Sequence, residues 1–106
     1  MRLIKTLTAK VGDMQFPIAI TNSAMAEYEE LTGESWPSFK STKLRIKFFY
    51  CVAKEGARIE GKEFTYDYNA FWDLVNGYYF EILTSVMPLI YEMMPKGKTS
   101  DGEKKR

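Results

Sequence analysis

Apolar and polar positions alternate over the first twenty residues and then switch to helical spacing. Leu3, Lys5, Leu7, Ala9 and Val11 share one side of an extended segment, with Ile4, Thr6 and Thr8 on the other; Phe16, Ile18 and Ile20 alternate with Pro17, Ala19 and Thr21. A period of two predicts strands with one buried face. Gly12-Asp13 between them marks a turn, so residues 2 to 20 predict a β-hairpin. Pro17 lacks the N–H that a ladder needs, which makes the returning strand an edge at that point. A two-stranded hairpin is marginal in water, so it is expected to lie on helices or on a neighbouring subunit.

Beyond Ile20 the spacing predicts four helices. Thr21, Asn22 and Ser23 are consecutive N-cap candidates; Ala24, Met25, Tyr28 and Leu31 make one apolar face; Gly33 stands where a left-handed stop is needed. Residues 34 to 38 (ESWPS) form a turn, with Pro37 holding Trp36 extended, and Ser38 or Ser41 caps a second helix over residues 39 to 55. On a helical wheel its apolar face is Ile46, Phe48, Phe49, Val52 and Ala53, while Lys40, Lys43, Lys47 and Lys54 fall on the opposite side within about one sixth of a turn. Arg45 lands near the apolar side and is expected to snorkel or to pair with a carboxylate.

Residues 56 to 62 (GARIEGK) predict a loop or short hairpin turning at Glu60-Gly61, after which Phe64 re-enters the core. Thr65 or Asp67 caps a third helix that ends at Asn76-Gly77 and turns Phe71, Leu74 and Val75 inward. In the last helix, residues 78 to 94, the outward stripe is Glu81, Thr84, Ser85, Pro88 and Glu92, and the remaining positions are apolar. Pro88 suits the outer side of a curved helix, where its lost hydrogen bond is replaced by water. So apolar a helix is either central to the core or shared with a partner. Residues 96 to 106 (KGKTSDGEKKR) contain no apolar residue and predict a disordered basic tail. The fold class is therefore mainly α: about four helices with an N-terminal β-hairpin packed against them, one domain over residues 1 to 95.

Composition adds three points. Seven Tyr, seven Phe and two Trp in 106 residues are many rings for so small an interior, so some are expected at an interface. Charge is blocked: residues 27 to 34 carry only acids, residues 40 to 62 are mainly basic, and residues 63 to 95 carry no Lys or Arg. Such blocks suit solvated faces, or head-to-tail contact between copies, and predict a homo-oligomer. A net charge of +1 argues against wholesale nucleic-acid binding, and the rings and lysines of the second helix lie on different faces rather than in one stacking groove.

Chemistry finds little purchase. With no His, the usual base near neutral pH and the commonest transition-metal ligand are both missing. Cys51 is the only cysteine, so no internal disulfide forms, and within FFYCV it reads as a packed side chain rather than a nucleophile. The glycines are isolated rather than gathered in a phosphate loop, and no acidic loop offers oxygen ligands for a metal. A non-enzymatic binding protein without cofactor is expected, cytoplasmic because neither a signal pattern nor a membrane-length apolar run occurs.

One stretch carries a resemblance. FPIAITNSAMAEYEELTGESWPSF, residues 16 to 39, joins a strand with an aromatic-Pro pair, a cap, a short acidic helix ending E-E-L-T-G and a Trp turn. It resembles the start of small phage tail assembly chaperones, loosely through residue 56, and the chain is similar to them in size. The resemblance implies a protein that binds the helical tape measure protein, keeps its apolar faces from aggregating and assists assembly of the tail tube. A Met-bearing, aromatic surface suits varied apolar sequences, which nominates Tyr79, Met87, Tyr91 and Met94 for partner binding, with the basic stripe Lys40, Lys43, Lys47 and Lys54. The resemblance also raises a second, longer product, since codons for Glu103-Lys104-Lys105 can supply a slippage run. The alternatives are a structural tail completion or connector subunit, and a small nucleic-acid-binding regulator.

Overall fold

The computed structural model describes residues 4 to 35 and 41 to 94; the Trp36-Pro37 turn, Ser38, Lys40 and residues 96 to 106 lie outside the described residues. Strands β1 (Leu7–Val11) and β2 (Met14–Ile18) pair antiparallel, with Ala9 opposite Phe16 and Thr8 opposite Pro17. Gly12 makes the turn at a φ of 60°, a left-handed geometry that an L side chain adopts only with strain. Ala9, Val11, Phe16 and Ile18 are buried, the single inward face that the alternation predicts.

Four helices follow among the described residues, and together with the hairpin they give the mainly α fold expected. Helix α1 (Asn22–Thr32) is capped by Thr21, whose hydroxyl accepts from the Ala24 N–H at 3.1 Å, and stops at Gly33 with a φ of 71°. Ala24 and Tyr28 are buried, but Leu31, expected on that face, is 39% exposed. Helix α2 (Thr42–Glu60) is capped by Ser41 and ends at Gly61. Helix α3 (Tyr68–Val75) is capped by Asp67, which accepts from the Ala70 N–H at 2.8 Å, and buries Phe71 and Val75.

Helix α4 (residues 79 to 93) is continuous but not uniform. It runs α-helical over Tyr79–Glu81, widens to a π-helical turn over Ile82–Val86, and resumes as Met87–Met93. The Met87 N–H reaches back five residues to the Ile82 carbonyl, and Pro88 has no N–H to offer Thr84. The wide turn has a packing consequence. Residues four apart on a regular α-helix drift about 40° per step; the extra residue absorbs that drift, so Ile82, Val86 and Ile90 stay in line and are all fully buried.

Helix α2 is the axis of the molecule, and two expectations change because of it. First, it runs to Glu60, so residues 56 to 60 are helical rather than a loop. Glycine is a poor helix former, but Gly56 is needed for its size. A Cβ there would stand 2.1 Å from the Pro17 carbonyl oxygen, because β2 crosses the helix at that point. The approach is close enough for the Ala19 N–H to donate to the helical Val52 carbonyl at 3.1 Å. Second, α2 is buried over most of its circumference: Tyr50 and Cys51 are inside along with Ile46, Phe48, Phe49, Val52 and Ala53. Around it α1 meets Phe48 through Tyr28, edge to face at 5.2 Å, and Phe49, Phe16 and Phe71 form an edge-on trio with centroids 5.1 to 5.6 Å apart. Most of the rings thus belong to the core rather than to an interface.

Candidate partner-binding surface

The two most exposed large apolar side chains of the described residues, Phe80 and Tyr91, lie on α4, with Leu83 between them. Phe80 is 79% exposed, Tyr91 49% and Leu83 37%, whereas Ile82, Val86, Met87 and Ile90 face the core. The predicted polar stripe is outward, since Thr84, Ser85, Pro88 and Glu92 are exposed and Glu81 half-exposed. It is not purely polar, however. Phe80 heads it, because Thr84 and Pro88 follow at intervals of four; that spacing is the signal that places Phe80 outside. The result is a ridge of Phe80, Leu83, Pro88 and Tyr91 flanked by carboxylates, in a segment without a single Lys or Arg from residue 63 to 94.

The ridge is held rigid at its start. The Gly12 N–H donates to Glu81 Oε2 at 3.0 Å, and the Tyr78 ring lies against Gly12, so the hairpin turn rests on the first turn of α4. On the other side Arg45 Nη1 donates to the Tyr79 hydroxyl at 2.8 Å, which resolves the placement of Arg45: it pairs with a phenol, not a carboxylate. Hydrogen bonds from Thr42 and then Arg45 hold the Tyr79 phenol below its usual range.

Of the four α4 residues expected to bind a partner, only Tyr91 stands out on the surface. Met87 is 2% exposed and part of the core, and Tyr79 and Met94 are half-buried against it. The reason is the π-turn, which rotates Met87 inward from where a regular helix would place it relative to Phe80 and Leu83.

The basic stripe is divided in the same way. Lys54 is an internal tie, its ammonium 2.8 Å from Glu27 on α1, and this bond raises its pKa. Lys47 sits over the Tyr68 ring at 5.2 Å from the centroid. Lys43 is exposed at the rim of an open groove of about 370 Å³ that Lys47, Tyr68, Asn69 and Trp72 complete. Lys40 lies outside the described residues. Sequence reasoning also passed over Glu55, the one buried acid of the described residues: Thr21 donates to it at 2.8 Å, and Arg58 grips both its oxygens at 3.0 and 2.6 Å. This cluster joins the α1 cap to the second half of α2, which is a structural task.

Burial pushes the Cys51 thiol up to about 12, and among the described residues no three His, Cys, Asp or Glu gather as a metal site. No described helix is long and apolar enough to cross a membrane. No family model, curated protein or solved structure matches the chain.

Proposed function

We propose that the protein is a non-enzymatic phage tail assembly chaperone of the host cytoplasm, which binds the tape measure protein through the outer face of α4. The observation that carries this is the exposure of Phe80, at 79%, on a ridge continued by Leu83, Pro88 and Tyr91. A small protein that packs its other rings largely in or against the core yet leaves such a row in water has a surface suited to covering another apolar helix. The E-E-L-T-G helix and its flanks at residues 16 to 39 supply the family side of the proposal. The carboxylates beside the ridge suit a client whose apolar stripe is bordered by Lys or Arg.

The test is titration calorimetry with overlapping tape measure segments. Replacing Phe80 and Tyr91 together with Ser is expected to weaken binding at least tenfold, as for anchor residues worth about 2 kcal/mol each, and to leave the denaturation midpoint nearly unchanged. Met87→Ser is the contrasting control and is expected to lower stability by about 2 kcal/mol or more through its core position. Wild-type protein that binds no segment, or a Phe80/Tyr91 variant that binds normally, overturns the proposal. Recruitment of the tail tube protein is tested by adding it to the preformed complex.

A further inference from the structure

A second surface, separate from the ridge, has two halves that match each other but do not meet within one molecule. The first half is the groove between α2 and α3. Among the described residues Lys43 lies exposed at its rim with no acidic partner, and Lys47 keeps its charge over the face of the Tyr68 ring with no salt bridge. Trp72 forms its apolar wall. Beneath this lining the Tyr68 hydroxyl is buried with no hydrogen-bond partner among the described residues, a site of local strain in the packing of α3 on α2.

The second half is the far end of α1. Glu30 and Glu34 are exposed and unpaired among the described residues, and between them Leu31 is 39% exposed, in a segment from residue 27 to 34 that contains no base. It thus offers carboxylates around an aliphatic side chain, where the groove offers ammonium groups and an indole.

We infer that copies of this chain associate head to tail, the Glu30-Leu31-Glu34 end of α1 in one copy seating in the Lys43–Lys47–Tyr68–Trp72 groove of the next. Two different patches meet, so the contact is heterologous and generates a ring or an open row rather than a two-fold dimer. The ridge on α4 takes no part, and the inference stands independently of the proposed client.

A charge swap tests it. Lys43→Glu/Lys47→Glu gives a chain acidic at both halves; Glu30→Lys/Glu34→Lys gives one basic at both. In sedimentation velocity at micromolar concentration and low salt, wild type is expected to form concentration-dependent oligomers that dissociate at about 0.5 M salt, where screening reaches within a few ångströms. Each variant alone is expected to be monomeric, and an equimolar mixture to recover the wild-type species, because swapped and native pairings alternate along it. Circular dichroism confirms folding. Should Lys47→Glu unfold the chain by vacating the Tyr68 ring, Lys43→Glu with Glu30→Lys replaces the pair. Phe80→Ser/Tyr91→Ser is expected to associate as wild type does. Monomeric wild type under these conditions, folded variants that still assemble alone, or a mixture that stays monomeric overturns the inference.

Discussion

Cys51 and Tyr28 show how burial alone settles what a reactive side chain can do. Neither exposes any surface, and desolvation pushes both acids up to about 12, from ordinary values of 9.0 and 10.0. The carboxylate of Glu34 adds to the effect on Tyr28, and that of Glu27 to the effect on Cys51. The consequence for stability has a definite sign. Between pH 9 and 12 the unfolded chain releases protons that the folded chain retains, so unfolding gains and stability falls. Burial also raises Tyr50 and Tyr68 and works in the same direction. Urea midpoints are expected to be level from about pH 7 to 9 and to decline as the pH rises through about 9 to 12. In the native state at pH 8, Cys51 is expected to resist a thiol reagent and to react once denaturant unfolds the chain; rapid modification without denaturant would contradict its placement.

The crossing of β2 over α2 is the decisive contact between elements. It depends on Gly56, where the strand backbone lies so close that even a methyl group collides with the Pro17 carbonyl. On an exposed helix, Gly→Ala gains about 1 kcal/mol. Here the opposite is expected: Gly56→Ala should cost about 3 kcal/mol or more, as overpacking against backbone with little room to yield, read from denaturant unfolding. A variant as stable as wild type would mean that the strand does not lie there. The same comparison explains why Gly56 was legible only as a loop signal. An interior glycine speaks against a helix by propensity, and nothing in the one-dimensional pattern records a strand passing overhead. The caps, by contrast, are local, and Thr21, Ser41 and Asp67 each accept from an N–H three residues on.

At the scale of the molecule, α2 is sheathed by β2, α1 and α3 and tied to α4 through Arg45 and Tyr79. A helix so enclosed exchanges its amide hydrogens only when the whole domain opens. Amides of Phe48 to Ala53 are therefore expected to report the global unfolding free energy in native-state exchange, and the exposed outer turns of α4 to open at lower cost. If α2 exchanged faster than α1 or α3, it would not be the core. This arrangement also accounts for the aromatic content: rings from β2, α1, α2 and α3 converge on one centre, so the interior of a 106-residue chain absorbs more of them than its size suggests.

Local chemistry decided what the sequence could determine unaided. The hairpin and its Gly12 turn, the three side-chain caps, the Gly33 stop and the apolar faces of α2 and α3 follow from interactions within a few residues, so the period and the cap residues suffice to read them. The mainly α fold follows from the count of those elements. Tertiary structure decided the rest. It made α2 the centre, carried that helix through Gly56 to a stop at Gly61, and drew Lys54 to Glu27. It also turned Met87 inward and left Phe80 outside. Each of these depends on which face of one element meets another distant in sequence. A face that is apolar by pattern is buried only where a partner element reaches it, and on α4 the π-turn beside Pro88 sets where that face points.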